Sequence, residues 1–231
     1  MTPVSRTPLN AVLLGTTIAF GALLAGPAAA EFVLSAYVGA NGSPDSDVDY
    51  NFDQGRGSQS DEVGWNGESD EFPPFFGVRA TWWLDAYPNW GFAIDNVHAK
   101  VAADPMPRDF KTLEFTDGVN MLTANVQYRW LFDNSRWVPY TGIGVGITMP
   151  HVEVKNQDGS SDTSEYQFGG PSAQALIGLE YKIDDRWSVF AEGKIAKFWL
   201  DVDLDGGDGS LETDIVSRQI AIGVNYTFGR R

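Results

Sequence analysis

Histidine is scarce in this sequence of 231 residues, where it occurs only as His98 and His151. Near neutral pH an imidazole ring can act as a general base or bind a metal ion. His98 follows Trp90 by eight residues, which at a strand rise of about 3.3 Å and a tilt of about 40° separates them by roughly 20 Å. Each histidine is therefore a candidate for catalysis or metal binding, and the alternative is a polar residue near a strand end. His98 shares the parity of Phe92 and Ile94, so without a bulge the three face the same side.

A second candidate is the acidic segment near the C-terminus. Asp201, Asp203, Asp205, Gly206 and Glu212 fit the pattern D-x-D-x-D-G-x5-E of an EF-hand calcium loop. An EF-hand needs flanking helices, whereas the residues on both sides alternate as strands do. Two interpretations stay open: an acidic hairpin tip without a ligand, or a metal site in which the four carboxylates bind a divalent cation.

Composition excludes several other classes of chemistry. The formal net charge is −15, which repels the phosphates of nucleic acids. Cysteine is absent, so disulfides and thiolate metal sites are impossible. The sequence contains no glycine loop that would hold a phosphate and no clear Ser-His-Asp arrangement.

The clearest structural pattern lies between Met121 and Trp130. Its apolar face consists of every second residue, namely Leu122, Ala124, Val126, Tyr128 and Trp130, and the residues between them are Thr123, Asn125, Gln127 and Arg129. Side chains alternate across a strand, so this segment has one apolar and one polar face. About ten alternating residues that end in aromatic side chains are typical of a strand in an outer-membrane β-barrel.

Seven further segments repeat this unit. The eight predicted strands are 32–40, 75–84, 90–102, 121–130, 138–149, 167–183, 187–200 and a last strand that ends at 228. Long acidic connections, 41–72, 103–116, 155–165 and 201–214, alternate with tight turns at 85–89, 133–135 and 184–185. Outer-membrane barrels have short periplasmic turns and long external loops.

The predicted fold is therefore all-β: an eight-stranded antiparallel transmembrane up-and-down β-barrel with long acidic extracellular loops. The alternative is a soluble lipocalin-like barrel, which would turn its apolar residues inward. The N-terminus favours the membrane barrel, because Arg6, an apolar run and Ala28-Ala29-Ala30 form a signal peptide pattern. We assign 1–30 to a cleaved signal peptide and 31–231 to the barrel, in a bacterial outer membrane.

The lumen of so narrow a barrel is filled by side chains, not by an open pore. If Arg129 faces inward, parity places Glu180, Lys182, Glu192 and Lys194 inward as well. Buried charges must be paired. We therefore predict one lumen network of ion pairs that includes Arg129, and glycines at 142, 144 and 146 that make room for it. A proton or substrate path is the functional alternative.

Several stretches resemble a known family. The general plan resembles the opacity-protein and OmpA-like superfamily, and the chain after about Phe75 more closely resembles the lipid A oxidase family of rhizobia and related alphaproteobacteria. The stretches are Gly91-Phe92-Ala93-Ile94-Asp95, His98-Ala99-Lys100-Val101, Phe115-Thr116-Asp117-Gly118-Val119-Asn120 through Tyr128-Arg129, Pro139-Tyr140, Pro150-His151-Val152-Glu153-Val154, Trp187-Ser188-Val189-Phe190 and Asp205-Gly206-Gly207.

This resemblance implies an outer-membrane enzyme that uses molecular oxygen to oxidise the proximal glucosamine of lipid A to an aminogluconate unit, with a divalent cation as a possible helper. The family supplies no catalytic residues to transfer, so His98, His151 and Glu153 are our own candidates. The expected partners are lipopolysaccharide and the barrel insertion machinery, and the expected oligomeric state is a monomer.

Two other functions compete with the oxidase. The first is a structural or adhesive surface barrel without catalysis, which would contact lipopolysaccharide through divalent cations. The second is a narrow uptake channel for small apolar molecules, which requires a lateral opening or an apolar lumen and is disfavoured by the predicted lumen charges.

Overall fold

The computed structural model describes residues 31–52, 57–115, 117–159, 161–204 and 209–229, so the predicted signal peptide lies outside the described residues. Thirteen strands are described, and eight of them form the barrel wall. These eight are β1 (Glu31–Asn51), β3 (Phe76–Trp83), β4 (Trp90–His98), β7 (Met121–Arg129), β8 (Trp137–Thr148), β11 (Gly170–Lys182), β12 (Trp187–Leu204) and β13 (Gly209–Phe228). The other five are β2 (Gln59–Asn66), β5 (Val101–Ala103), β6 (Phe110–Phe115), β9 (His151–Asn156) and β10 (Asp162–Tyr166).

The barrel closes because β1 pairs with strands on both of its sides. Each barrel strand is antiparallel to its neighbours, in the order β1, β3, β4, β7, β8, β11, β12 and β13. The last strand returns to the first, with Phe32 opposite Phe228. The predicted eight-stranded antiparallel barrel is confirmed. No helix among the described residues is long and apolar enough to cross a membrane.

The direction in which β7 turns its two faces decides between a membrane and a soluble barrel. Its polar residues Asn125 and Gln127 point into the lumen and are buried, whereas Leu122 and Val126 are 41% and 39% exposed. A soluble barrel would bury the apolar set, because burial of apolar area is the main driving force for folding in water. The lipocalin-like alternative is therefore wrong, and the apolar belt faces lipid.

Aromatic side chains ring the barrel at the end that carries the tight turns. Trp90 packs against Tyr128 with ring centroids 4.9 Å apart, and Tyr128 packs against Trp130 at 5.0 Å. Trp137 contacts Tyr181 in the same way, with 4.7 Å between centroids. An aromatic girdle marks a membrane interface, and the tight turns at this end identify it as the periplasmic one.

At the other end, the predicted acidic loops are largely strands, and this corrects the sequence analysis. β1 continues to Asn51 and pairs with β2, and β5, β6, β9 and β10 extend the same sheet. β12 alone has 18 residues, which makes it roughly 45 Å tall at a tilt of about 40°, against an apolar belt of about 25 Å. We call this part above the belt the extension.

The extension has an apolar interior. In β1, Val48 and Tyr50 are buried and the aspartates between and beside them face outward, and Phe110, Leu113 and Val154 are buried in the same cluster. Outside the membrane, apolar side chains must leave water, so the inward face there is apolar and the outward face is acidic. The acidic residues therefore mark the solvent face of strands and not flexible loops.

Within the membrane, the lumen holds a charge network of four ionised side chains. Arg79 forms two hydrogen bonds to Glu192, each 2.7 Å long, and one of 3.1 Å to Asp95. The Nζ atom of Lys194 lies 2.8 Å from Asp95, and the Tyr37 hydroxyl donates to the same carboxylate at 2.7 Å. Two positive and two negative charges balance, as buried charges require.

The membership of this network differs from the prediction. Arg129 faces inward as expected, but it pairs with Glu31 at 2.8 and 2.9 Å and lies over the Trp83 ring at the periplasmic end. Glu180 and Lys182 also lie near that end and are only partly buried. Arg79 and Asp95, which the sequence analysis did not select, take the central positions instead. The predicted single network around Arg129 is therefore wrong.

We predict that Asp95→Asn will lower the free energy of unfolding by about 3–5 kcal/mol, because it removes one partner from buried Arg79 and Lys194. Urea unfolding of the barrel in lipid vesicles, followed by tryptophan fluorescence, measures this loss. Asp214→Asn is the matched control, because it breaks an exposed ion pair with Lys197 of 2.9 Å and should cost far less. Equal losses in both variants would contradict the central role of the network.

Candidate functional site

Both histidines lie at the outer boundary of the apolar belt. On β4, the exposed side chains of Phe92 and Ile94 face lipid, and His98 ends the strand on the same outward face. On the neighbouring wall, Ile147 and Met149 are exposed just before His151, which begins β9. The two histidines are thus at the level where the acyl chains of the outer leaflet meet the headgroups.

A short connection joins the two histidines. Residues 117–120, which we call the linking segment, run between β6 and β7. Asn120 Oδ1 lies 3.0 Å from His98 Nδ1, and Asp117 Oδ2 lies 4.0 Å from His151 Nδ1. Val119 anchors the segment, because its side chain is fully buried and its N–H donates to the Ala99 carbonyl at 2.8 Å. The linking segment therefore presents one side chain to each histidine.

His98 faces outward but does not contact lipid freely. Its imidazole is stacked on the Phe76 ring, with centroids 5.1 Å apart and an interplanar angle of 21°. Gly118 packs against the Nδ1–Cε1 edge of the imidazole so closely that an added Cβ would lie 2.5 Å from Nδ1. As a result, His98 is only 5% exposed, although parity gives it the lipid-facing side. The Nε2 atom is buried and has no hydrogen-bond partner within the described part of the chain.

His151 sits in a more open environment. The Tyr166 ring lies edge-on against its imidazole at 4.8 Å, and the Tyr166 hydroxyl donates to Asp117 Oδ2 at 3.4 Å. Partial burial raises the pKa of the Tyr166 hydroxyl, and the Asp117 carboxylate raises it further. Tyr166 and Asp117 are thus hydrogen-bonded to each other beside His151, whose Nδ1 has no hydrogen-bond partner among the described residues.

Carboxylates continue the site above the histidines. Glu153 follows His151 on the outward face of β9, and Glu114 of β6 is directly opposite it. Burial raises the pKa of the Glu114 carboxyl, and repulsion by Glu153 adds to the shift. Lys100, which is nearly buried, donates from Nζ to the Phe72 carbonyl at 3.1 Å. The site thus combines histidines, carboxylates and one lysine at the boundary between lipid and water.

The acidic hairpin is a separate feature. Asp201 and Glu212 face each other across β12 and β13, both on the outward face, and Asp203 follows on the same side. Asp205 lies outside the described residues. The flanks are strands, as the sequence predicted, and the Gln167 side chain bonds both the N–H and the carbonyl of Asp203. Within the described ranges, no three His, Asp or Glu side chains are grouped to hold a metal ion.

The structure places the three candidates from the sequence beside a segment that the sequence analysis did not select, and their catalytic role stays a prediction. His98, His151 and Glu153 share one face, whereas Asp117 and Asn120 were not selected. The available signal was local: Asp-Gly-x-Asn favours positive φ, and Gly118 and Asn120 adopt φ of +81° and +47°. Such a turn can aim its Asp and Asn side chains at neighbouring groups.

Comparisons with known proteins support the fold. No protein-family model and no curated protein sequence matches the chain. Among solved structures, the outer membrane protein OprG from Pseudomonas aeruginosa is 15% identical with a TM-score of 0.57, covering 87% of this chain and 97% of its own. Neisserial surface protein A is 13% identical with a TM-score of 0.47, covering 86% and 97%. Ail of Yersinia pestis is 13% identical with a TM-score of 0.38, covering 87% and 99%.

The likeness to OprG shows that the chain has the fold of small outer-membrane β-barrels. The lipid-facing belt and the aromatic girdle described above are independent observations of the same kind. The predicted localisation in a bacterial outer membrane agrees with both.

We predict that Glu114→Gln will raise the free energy of unfolding at pH 8. Because the pKa of Glu114 is raised in the folded state, its ionised form destabilises that state. The increase in the free energy of unfolding caused by Glu114→Gln is therefore largest above the folded pKa. The gain shrinks as the pH falls through the folded pKa and vanishes below the unfolded value of about 4.3. Urea unfolding at a series of pH values measures it.

Glu153→Gln tests whether repulsion by the Glu153 carboxylate contributes to the effect. If repulsion between the two carboxylates contributes, the double variant will gain less than the sum of the single variants. A Glu114→Gln gain that does not change with pH would contradict the electrostatic explanation.

Proposed function

We propose that the chain is an outer-membrane enzyme that oxidises the proximal glucosamine of lipid A with molecular oxygen. The observation that carries the proposal is convergence: three of the stretches that resemble the lipid A oxidase family, around His98, Asp117 and His151, meet at one site. They are far apart in sequence and belong to β4, the linking segment and β9. That site faces outward at the belt's outer boundary, where a lipid A sugar would lie.

The position of the site supports a membrane lipid as the substrate. The lumen is filled by the charge network, so a small molecule has no path through the barrel wall to these residues. The exposed side chains of Phe76 and Met149 border the histidines on the lipid side. A glycolipid with its acyl chains against the belt would bring its first sugar to the level of His98 and His151.

The reaction is written as a two-electron oxidation. The C1 hydroxyl of the sugar loses its proton to a base, and the C1 hydrogen leaves with two electrons, which gives a lactone. Molecular oxygen accepts two electrons and two protons and becomes hydrogen peroxide. Water then opens the lactone to the aminogluconate, so the product is one oxygen heavier than the substrate.

Within this scheme we assign proton transfer to His98 and His151, and hydrogen bonding of the sugar to Glu153. A divalent cation remains part of the proposal as a helper, through Asp201, Asp203, Asp205 and Glu212, and no step depends on it. A general base contributes about 10²–10⁴-fold to a rate, so loss of either histidine is expected to have an effect of that size.

The test is the mass of lipid A exposed to the purified barrel in lipid vesicles, with and without oxygen. The lipid A is first treated with mild acid, because oxidation at C1 requires a free hydroxyl there. We predict a species one oxygen heavier in air only. His98→Gln and His151→Gln should reduce its rate of formation by about 100-fold or more.

Tyr50→Phe, a change in the extension away from the histidines, is the matched control and should keep full activity. A difference in gel mobility between boiled and unboiled samples establishes that each variant is folded. Unchanged lipid A with a folded barrel would overturn the oxidase.

A second function is favoured by one specific observation. On the outside of the extension, Asp201, Glu212 and Asp49 are adjacent across β12, β13 and β1, so three carboxylates stand in a row without being grouped around a single metal position. A non-enzymatic surface barrel could use such a row to share divalent cations with lipopolysaccharide phosphates. Calcium-dependent retention of lipopolysaccharide, lost in the variant Asp201→Asn with Glu212→Gln, would support this function in place of the oxidase.

A further inference from the structure

We infer that Asn120 is a positioning residue that holds His98 in a single tautomer, with the hydrogen on Nδ1 and the lone pair on Nε2. The Nε2 atom is then the one that accepts a proton from a hydroxyl of the bound glycolipid. This second statement rests on the proposed function, whereas the tautomer does not.

The first step is the orientation of the Asn120 amide. Its Nδ2 atom lies within hydrogen-bond distance of three backbone carbonyls, those of Asp117 at 2.8 Å, Gly118 at 3.1 Å and Met149 at 3.3 Å. All three are acceptors. An amide turned the other way would aim its oxygen at three oxygens, so the nitrogen must face them. The amide oxygen is thereby directed at His98.

The second step follows from the distance between the two side chains. Asn120 Oδ1 lies 3.0 Å from His98 Nδ1 and can only accept a hydrogen bond. Nδ1 must therefore carry the hydrogen. In a neutral imidazole the other nitrogen then has the lone pair, and the hydrogen bond made by one nitrogen sets the role of the other. The same logic orients histidines that bind metals.

The third step is the state of Nε2. This atom is buried and has no hydrogen-bond partner among the described residues, and His98 as a whole is 95% buried. A buried acceptor without a donor is unfavourable unless a ligand supplies one. The Phe76 ring, which stacks on the imidazole and is 39% exposed toward lipid, separates His98 from the lipid layer, so a ligand reaches Nε2 only when Phe76 shifts. The ligand class that fits is a hydroxyl on a molecule held in that layer.

The ring is also prevented from turning away. Phe76 covers one face of the imidazole, and Gly118 touches the Nδ1–Cε1 edge with no room for a Cβ. Gly118 has a φ of +81°, a backbone conformation that suits glycine. The linking segment thus fixes both the tautomer and the ring plane of His98. The Asn120 side chain fixes the tautomer.

The experiment uses the barrel labelled with 15N-histidine in lipid vesicles and solid-state NMR at pH 8. Because the chain has two histidines, His98→Gln and His151→Gln assign the signals completely. We expect His98 to show a protonated Nδ1 and an unprotonated Nε2. Hydrogen on Nε2 in the unaltered protein would overturn the inference, and this spectrum needs no variant at Asn120 to fold.

Asn120→Gly is the variant, since glycine keeps the positive φ and removes only the side chain. We expect His98 to populate both tautomers and kcat for lipid A oxidation to fall about tenfold or more, while KM changes little. Asn134→Gly is the matched control: Asn134 also has a positive φ, of +59°, but lies in a periplasmic turn. It should change neither readout.

The outcomes separate the two levels of the inference. An Asn120→Gly spectrum identical to that of the unaltered protein would overturn the positioning role whatever the activity. The expected tautomer in a barrel that does not oxidise lipid A would support the positioning role and overturn the proton transfer to Nε2 together with the proposed function.

Discussion

Charge pairing inside a narrow wall is the constraint on which this structure depends. An eight-stranded barrel has room for side chains only, and an unpaired ion there would cost several kcal/mol. Arg79 and Asp95 are opposite each other on the adjacent strands β3 and β4, whereas Glu192 and Lys194 lie on β12 across the lumen, so the bonds of Arg79 to Glu192 and of Lys194 to Asp95 form only when the wall is closed. Barrel closure therefore completes the charge network by joining the two halves across the lumen. The filled lumen also leaves the outer surface as the place for ligand chemistry.

A reversal of polarity along the strands defines where that chemistry lies. In the membrane part of β12, the charged Lys194 points inward and the apolar Ile195 faces lipid. Further along the same strand the order is reversed: the apolar Phe198 points inward and the charged Asp201 faces water. The change marks the outer boundary of the bilayer. His98 and His151 lie at the same boundary, where polar side chains on the outer wall remain close to lipid. The position of the site thus follows from the boundary between lipid and water, and not from a pocket in the core.

The sequence was sufficient for the barrel because a period of two assigns each strand residue to a face. It misled in 41–72, where the many acidic residues concealed Val48, Tyr50 and Trp65 on the opposite face of two strands. Pairing across the lumen could not be read at all, since Arg79 and Glu192 are 113 residues apart. Within the candidate site, parity placed His98 outward correctly. Its burial depends on the linking segment, whose geometry arises from backbone torsions at Gly118 and Asn120.

The height of the extension has a kinetic consequence. Its wall stands directly above the histidines, with acidic residues outside and a packed apolar interior, and the side of the site that faces the leaflet is bordered by the exposed Phe76 and Met149. A lipid substrate, as proposed above, would reach the site by lateral diffusion within the leaflet. The rate of encounter would then be set by the number of lipid molecules per unit area and by the fluidity of the leaflet, and not by bulk concentration. Cooling or stiffening the outer leaflet would slow such a site even if every side chain kept its place.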